Sequence, residues 1–193
     1  MLALLRPAVA SVGLFTLILG LAYPLAITGL AQAVFPWQAD GSLIRQEGRI
    51  VGSALVGQAF TAPGYLHGRP STVDYDASGS GASNLGPLNP DLIAETKTRA
   101  EAWRVSTGEP AVPSDAVTAS ASGLDPHISP QNALAQASRV AEARGVATGA
   151  VRAVILRHVE GRTFGVLGQP RVNVLKTNLA LDAAFAATQP PQR

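Results

Sequence analysis

The sequence predicts a mixed α+β protein with one N-terminal transmembrane helix followed by a single soluble α/β domain. Three observations in its 193 residues predict this arrangement. An uncharged, largely apolar run of 33 residues extends from Pro7 to Ala39. Short apolar pieces then alternate with glycine and proline, as in strands and loops. Two later segments open with a capping residue and a proline, which is typical of helix starts. We therefore predict domain boundaries at residues 1–38 and 39–193.

The composition argues against several classes of function. The chain has 15 Lys and Arg against 13 Asp and Glu, and its basic residues are scattered singly, so no patch for nucleic acid is predicted. It contains no Cys, which excludes disulfide frameworks, thiolate zinc sites and cysteine nucleophiles. Stability must therefore come from burial or from partners.

The apolar run is long enough to cross a lipid bilayer. Arg6 is the only charged residue before Asp40. About 20 helical residues span the hydrocarbon core, so the run suffices with residues to spare. Trp37 is predicted to lie at the far interface, and the span to end near residue 36. Tyr23 and Pro24, in the middle of the run, predict a kink, because proline cannot donate a backbone hydrogen bond.

A cleavable signal peptide is the alternative interpretation of this run. Ala31-Gln32-Ala33 matches the small-x-small cleavage pattern, and Arg6 supplies a positive N-terminal region. The apolar run is about twice as long as the 7 to 15 residues of a signal peptide, which favours an uncleaved anchor. Orientation stays open at this point, because Arg6 before the span is balanced by Arg45 and Arg49 after it.

The remainder of the chain is predicted to be one domain of alternating short elements. Residues 41–91 are predicted to form short strands and loops, and residues 76–87 a loop, because they are small and polar. Asn89 is predicted to cap a helix that runs to about Val105, and a β-leaning piece is expected around Val117-Thr118. Ser129 is predicted to cap a helix that ends at Gly145.

The last elements are predicted from periodicity and turn residues. A helix is expected from Thr148, with His158 on its apolar face as a core histidine. A hairpin turn at residues 160–163 is expected to lead into a strand at residues 164–167, with another strand at residues 172–175. Asn178 is predicted to cap a final helix that runs to about Ala187 and packs through Leu179, Ala183 and Ala186.

Motifs for independent catalysis are missing from the sequence. It has no phosphate loop, no dinucleotide fingerprint, no His-Glu-x-x-His zinc helix, no nucleophile elbow and no aspartyl-phosphate sequence. Ser122, Asp125 and His127 could form a hydrolase site, and Asp125 with His127 could chelate a metal, but no third ligand is indicated. The favoured interpretation is a turn in which Asp125 and Ser129 satisfy backbone amides.

A Ser-Gly-rich loop offers a second candidate site. It could present converging backbone amides to a nucleotide phosphate. Neither a preceding strand nor a following helix nor a nearby Lys supports this, so an ordered structural loop is favoured. The candidate nucleotide-binding residues are Ser78, Gly79, Ser80, Gly81, Ser83 and Asn84.

The order of several motifs resembles one known family. These motifs are Gly52-Ser53 with Gln58-x-Phe60, Arg69-Pro70-Ser71, Ser83-Asn84-Leu85-Gly86-Pro87, the run from Thr118 to Ser129, and Val172-Asn173-Val174-Leu175. Together they resemble the KdpC family, the C chains of bacterial Kdp potassium-transporting ATPases, over nearly the whole chain. Ala121 and the stretch 78–83 depart from the family pattern only by small residues. The structural or interface residues that we predict are Tyr23 and Pro24 in the apolar run, and Arg69, Asn84, Ser122, Asp125 and His127 in the motifs of the resemblance.

The resemblance implies a non-catalytic subunit of an inner-membrane potassium-uptake complex. Its partners would be a channel-like potassium-binding subunit, a P-type ATPase subunit, a small single-span subunit and the bilayer. The complex would use ATP, Mg and potassium, while this chain would bind no cofactor of its own. The family places the N-terminus in the cytoplasm and the soluble domain outside it, in the periplasm. Family members are also described as catalytic chaperones that raise the ATP affinity of the pump subunit.

Overall fold

A computed structural model describes residues 2–186 of the chain. These residues divide into two compact units, with the division between Val51 and Gly52. The expected mixture of helices and strands is present, with an apolar helix first and an α/β region after it. The predicted helix end at about Ala187 lies outside the described residues.

The first unit begins with a long apolar helix. Helix α1 (Leu2–Leu17) continues through one wide π-helical turn (Ile18–Ala22) into α2 (Tyr23–Val34). Within residues 2–186, the 31-residue stretch Leu4–Val34 is the one helix long and apolar enough to cross a bilayer, and none of its most apolar window is buried. Its exposed Leu, Ile, Val and Phe side chains require an apolar surrounding that this chain does not supply.

A short helix and a hairpin complete this part of the chain. Helix α3 (Pro36–Ala39) follows the long helix, and the Trp37 indole N–H donates to the Leu43 carbonyl at 3.0 Å. Strands β1 (Leu43–Gln46) and β2 (Arg49–Ser53) form a two-stranded sheet. The predicted short strands after Gly41 are therefore confirmed.

The second unit contains six helices and three short strands among its described residues. The helices are α4 (Pro90–Thr107), α5 (Ser114–Val117), α6 (Pro130–Ala135), α7 (Ala137–Arg144), α8 (Thr148–Arg157) and α9 (Val174–Ala184). The strands are β3 (His127–Ile128), β4 (Val159–Glu160) and β5 (Arg171–Asn173). They form an antiparallel sheet in the order β3-β5-β4, with Val172 opposite both Ile128 and Val159.

The hydrophobic core lies between this small sheet and the helices α6 to α9. Its fully buried side chains include Leu66, Val140, Ile155, Val172 and Leu181. Each such aliphatic side chain stabilises the fold by roughly 1.5 to 3 kcal/mol relative to exposure. This core fixes the positions of the loops that carry the polar residues.

Several predicted helix boundaries are confirmed by their capping geometry. The Asn89 side chain accepts from Asp91 N at the start of α4, and the Ser129 hydroxyl accepts from Asn132 N at the start of α6. Gly145 ends α7 in the left-handed conformation. Local signals suffice here because each cap bonds to a backbone amide two or three residues away.

Other predicted elements are wrong. Val117 ends a short helix rather than lying in a strand, and residues 164–167 form an exposed turn in which Phe164 has a φ of 54°. The predicted strand at residues 172–175 ends at Asn173, where α9 begins. The helix expected from Ser129 to Gly145 is interrupted at Gln136.

The predicted cap and face of the last helix are also wrong. Asn173 caps α9 by accepting from Lys176 N, while Asn178 lies buried within the helix. Ala183 and Ala186 are exposed, and the helix packs through Leu181 and its neighbours. His158 lies just beyond α8 rather than on its face.

Candidate functional site

The loop formed by residues 118–129, called here the Asp125 loop, lies directly against neighbouring backbone. Gly57 N donates to Leu124 O at 2.8 Å, and a Cβ on Gly57 would lie 2.6 Å from Asp125 O. Gly123 has a φ of +68°, and a Cβ there would overlap Val73. Glycine is needed at both positions. Gly57 allows the close approach of the backbone, and Gly123 adopts the left-handed conformation.

Asp125 is the central acceptor of this loop. Its Oδ2 accepts from Arg69 Nη1 at 3.0 Å, and its Oδ1 accepts from His127 N at 3.0 Å. Arg69 Nη2 also donates to the carbonyls of Thr118 and Ala119 at 3.2 and 3.3 Å. Both carboxylate oxygens therefore hold the loop and tie it to Arg69, as expected for the turn interpretation.

The His127 side chain lies between two carboxylates. Its Nδ1 is 3.8 Å from Asp125 Oδ1, and its Nε2 is 3.9 Å from Glu160 Oε2 and 3.4 Å from Asn173 Nδ2. Burial lowers the pKa of His127 below its ordinary value, although the negative charge of Glu160 opposes this. The imidazole is therefore mainly neutral near pH 7.

Glu160 joins the sheet to the last helix. Its Oε2 accepts from Arg171 Nε at 3.1 Å, and its Oε1 accepts from Lys176 Nζ at 3.3 Å. Their side chains are about a third exposed, so each pair contributes at most about 1 kcal/mol. This cluster joins β4, β5 and α9 at the surface beside His127.

The geometry around Ser122 does not build a hydrolase triad. Its hydroxyl oxygen accepts from Leu124 N at 3.1 Å, and its carbonyl accepts from Gly81 N and Ser80 Oγ. A nucleophilic serine requires a hydrogen bond to its general base, and within residues 2–186 no hydrogen bond joins Ser122 to His127. The three predicted residues lie in one loop, but each serves a different backbone contact.

The Ser-Gly loop uses its polar groups internally. Ser78 donates from its amide and hydroxyl to Asp76 Oδ1 at 2.9 and 2.7 Å, and Gly79 N donates to Asp76 O at 3.1 Å. Gly81 N donates to Ser122 O at 2.9 Å. Three of the amides that a phosphate would need are thus already donated to protein oxygens.

The end of this loop is held by short local contacts. Ser83 Oγ accepts from Leu85 N at 3.5 Å, and Asn84 Nδ2 donates to Ala82 O at 3.2 Å. Asn84 has a φ of 54°, a conformation that asparagine tolerates better than most residues. These contacts give Ser83 and Asn84 a role in shaping the loop.

Tyr23 and Pro24 lie where the long apolar helix widens. Tyr23 N donates to Ile18 O, five residues earlier, which is the π-helical pattern. Pro24 has no N–H, and its ring would crowd the carbonyl of Gly20 in a regular α-helix. The wide turn at Ile18–Ala22 therefore accommodates the proline at the position where the sequence predicts a kink.

Sequence reasoning missed the partly buried segment of residues 63–68, whose backbone is bonded by distant side chains. Asn178 accepts from Leu66 N at 2.8 Å and donates to Leu66 O at 3.0 Å. Gln136 does the same for His67, at 2.8 and 3.1 Å. The side-chain amides of Asn178 and Gln136 thus satisfy backbone groups of Leu66 and His67 that would otherwise need a neighbouring strand.

A buried ion pair completes this support. Arg144 Nη2 lies 2.8 Å from Asp182 Oδ1, and these side chains are only 1% and 10% exposed. Arg144 Nε also donates to Gly64 O at 2.6 Å, and Tyr65 Oη donates to Asp182 Oδ2 at 3.2 Å. The sequence signal for such residues is a polar side chain inside an apolar helix, but from the sequence Asn178 is instead predicted to be a helix cap.

No metal centre is built from the described residues. Within residues 2–186, no three His, Asp or Glu side chains are grouped so that they could hold an ion. Asp125 and His127, the pair considered as possible chelators, instead bond to Arg69 and lie near Glu160.

Comparisons with known proteins agree over nearly the full chain. A family model described as KdpC, K+-transporting ATPase, c chain, matches residues 5–183. The potassium-transporting ATPase KdpC subunit of Caulobacter vibrioides strain NA1000 is 60% identical over 188 residues, covering 96% of this chain and 95% of that protein. The subunit of the same name from Cereibacter sphaeroides strain ATCC 17029 is 57% identical over 186 residues, covering 96% and 100%. That from Beijerinckia indica is 55% identical over 195 residues, covering 99% of both chains.

Proposed function

Because the chain belongs to the KdpC family, the c chains of K+-transporting ATPases, we propose that it is the membrane-anchored accessory subunit of such a pump. In this role it stabilises the assembled complex and supports potassium transport. The observation that carries the proposal is a family match that spans residues 5–183, and so includes both the apolar helix and the α/β unit.

The anchor is the apolar helix at residues 4–34. Its 31 residues extend over about 46 Å at 1.5 Å per residue, more than the roughly 30 Å of a hydrocarbon core. Its side chains are exposed, so lipid or the transmembrane helices of partner subunits must cover them. Gly13, Gly20 and Gly29 allow close helix approach, which favours association within the membrane.

We propose that the chain is not itself catalytic. The candidate groups of the Asp125 loop and the Ser-Gly loop are committed to backbone contacts and to the Arg69 ion pair. ATP hydrolysis would belong to a P-type ATPase subunit, and potassium binding to a channel-like subunit. A small single-span subunit would complete the assembly, with ATP, Mg and potassium used by the complex rather than held by this chain.

We further propose that the N-terminus lies in the cytoplasm and the α/β unit outside it, in the periplasm. A domain on that side cannot contact cytoplasmic ATP. A catalytic-chaperone effect on ATP affinity would therefore be a coupling free energy, transmitted through the assembled complex from one site to another. The rigid support of residues 63–68 by Asn178 and Gln136 suits a domain that braces the potassium entrance.

The absence of Cys from the sequence allows a direct test of orientation. Single cysteines are introduced as Leu4→Cys, before the apolar core of the helix, and Ser138→Cys, at an exposed position of α7. A membrane-impermeant maleimide applied to spheroplasts should label Ser138→Cys and leave Leu4→Cys unlabelled until the cells are lysed. The reverse pattern would contradict the proposed orientation.

Deletion of the α/β unit tests the accessory role. A chain reduced to residues 1–38 should retain the anchor but lower the yield of assembled complex or its apparent potassium affinity, relative to the full chain. Assembly is measured by size-exclusion chromatography in detergent, and transport by potassium-stimulated ATPase activity. If the truncated complex keeps normal assembly, ATPase activity and transport, the role proposed for the α/β unit is wrong.

A further inference from the structure

A cavity of about 310 Å³ lies between α4 and α7. This volume is at the lower end of the range of small-ligand sites. The polar groups in its wall are His67, Arg99, Trp103, Ser106, Gln136 and Arg139. None of its lining residues is Asp or Glu. The cavity therefore combines two guanidinium groups with neutral donors and no negative charge.

Arg139 supplies a positive charge that no carboxylate neutralises. Its Nη1 donates to Pro63 O at 2.6 Å, and its Nη2 donates to Tyr65 O at 3.1 Å and to Gln136 Oε1 at 2.7 Å. These partners are neutral, and within residues 2–186 no salt bridge includes Arg139. Burial lowers the pKa of Arg139 to about 10, which still leaves it charged at neutral pH.

Arg99 provides a second guanidinium with spare donors. One nitrogen pairs with Glu95 at 2.8 Å, and the other donates to Val117 O at 3.3 Å. The Glu95 side chain is 46% exposed, so solvent screens this pair and weakens its hold on Arg99. A guanidinium carries five N–H groups, so several remain for a ligand.

Two N–H groups beside the cavity are buried without an acceptor among the described residues. They are Trp103 Nε1 and Arg139 Nε. A buried donor without a partner costs roughly 1 to 3 kcal/mol, and such groups are uncommon in native proteins. Both belong to residues that line the cavity, but neither nitrogen is accessible to a water-sized group, so the hydrogen bonds to a ligand fall to the remaining N–H groups of Arg99.

We propose that this cavity binds a phosphate-type oxyanion, held by hydrogen bonds from Arg99 and by the positive charge of Arg139. The field of Arg139 favours a negative ligand, and the forked donors of Arg99 match the oxygens of a phosphate. The same chemistry is offered by inorganic phosphate and by the headgroup of an anionic phospholipid. The proposal does not require the accessory role, although His67 and Gln136 of the cavity wall also belong to the support of residues 63–68.

The chain contains two Trp residues, which allows a spectroscopic test. The Trp37→Phe variant of the full chain in detergent leaves Trp103 as the only indole. Inorganic phosphate is titrated at constant ionic strength set with chloride, and the fluorescence of Trp103 is recorded. A parallel titration uses mixed micelles that contain phosphatidylglycerol, with phosphatidylcholine as the uncharged reference. We expect a saturable change with phosphate, with phosphatidylglycerol, or with both, and the responding arm identifies the source of the oxyanion.

Two variants and a control decide whether the response belongs to the cavity. Arg139→Gln should weaken binding by about tenfold or more, and Arg99→Gln should weaken it by a smaller factor, because only the latter has a competing carboxylate. Arg152→Gln, on the exposed face of α8, is the matched control and should leave binding unchanged. Arg139 also bonds to the carbonyls of Pro63 and Tyr65, so circular dichroism is used to check that the Arg139→Gln variant is folded. If that variant unfolds, the binding measured for Arg99→Gln decides whether the cavity is the site.

The proposal is overturned if neither phosphate nor phosphatidylglycerol gives a saturable signal. It is equally overturned if the folded cavity variants bind as tightly as Arg152→Gln. An affinity lost only in the cavity variants supports it, whichever of the two probes produces the signal.

Discussion

The charged residue with the greatest expected effect on stability is Asp182, the partner of Arg144. Asp182→Asn would leave the guanidinium of Arg144 buried without a counter-charge, because the two side chains are only 10% and 1% exposed. We expect a loss of about 3 to 5 kcal/mol in the free energy of unfolding. Urea unfolding of the full chain in detergent, followed by circular dichroism, measures this loss.

The exposed pair between Glu95 and Arg99 is the matched control for this prediction. Its geometry is similar, at 2.8 Å, but it lies on the surface of α4. Glu95→Ala should change the free energy of unfolding by no more than about 0.5 kcal/mol. Similar effects of Asp182→Asn and Glu95→Ala would show that burial does not set the importance of the Arg144 pair.

Gly123 is predicted to tolerate no side chain. Gly123→Ala forces alanine into a φ of +68° and drives its Cβ into Val73. Gly145 has a similar φ of +63° but open space around it, so Gly145→Ala measures the conformational cost alone, about 1 kcal/mol. We expect Gly123→Ala to lower the melting temperature more than Gly145→Ala, and Val73→Ala to restore part of the difference. Equal effects of the two glycine substitutions would exclude the predicted clash.

Two histidines are expected to make the fold less stable in acid. Burial lowers the pKa of both His67 and His127 below the ordinary value of 6.5, so the unfolded chain binds more protons than the folded one near and below that pH. Stability is therefore present above pH 6.5 and is lost as the pH falls through the folded pKa values. The melting temperature should drop between about pH 7.5 and about pH 5.5. The drop should be smaller in the double variant His67→Gln/His127→Gln, and an unchanged drop would refute the assignment.

At the scale of elements, the wide turn in the membrane helix is expected to set which faces its two halves present. A π-turn adds one residue to the helical repeat, so its loss rotates one half against the other by about 100°. Pro24→Ala should favour a regular α-helix through residues 18–22 and thereby misalign the small residues Gly13 and Gly29. We expect less co-purification of partner subunits, measured against Pro7→Ala, which lies in the first turns of α1. Full assembly of the Pro24→Ala chain would show that the wide turn does not govern docking.

The sequence predicts best those elements whose ends are defined locally. Asn89 and Ser129 start helices because their side chains bond to amides two or three residues ahead, and Gly145 ends one because it adopts the left-handed conformation. The helix from Thr148 follows from the spacing of its apolar residues, among which the structure buries Val151. Each signal lies within a few residues of the boundary that it sets.

The elements that sequence reasoning misassigned depend on contacts between distant residues. Asn178 carries a good capping side chain, but it bonds to Leu66, 112 residues away, and Asn173 takes the capping role. The apolar run at residues 164–167 has the composition of a strand, yet among the described residues it pairs only through the isolated bridge of Leu167 to Thr163, and Phe164 is 89% exposed. Neither outcome follows from local propensity, because tertiary packing decides both.

For the whole molecule, the sequence identifies the residues of the Asp125 loop but only some of the contacts that they make. The sequence places Ser122, Asp125 and His127 in one loop, and the turn interpretation of Asp125 agrees with its bonds to Arg69 and His127. The cavity beside Arg139 could not be predicted, because it is formed by α4 and α7, which are more than 30 residues apart in the chain. The membrane helix could be predicted from its length and hydropathy alone, because a bilayer has a fixed thickness.

The anchored-subunit role is tested by isolating the tagged full chain from detergent-solubilised membranes and identifying its companions by mass spectrometry. We expect a stable complex in which a P-type ATPase subunit and a channel-like subunit accompany the chain, with residues 1–38 still attached. A chain recovered free in solution, without companions and with its apolar segment removed, would contradict the central claim that it acts as an anchored subunit of a potassium pump.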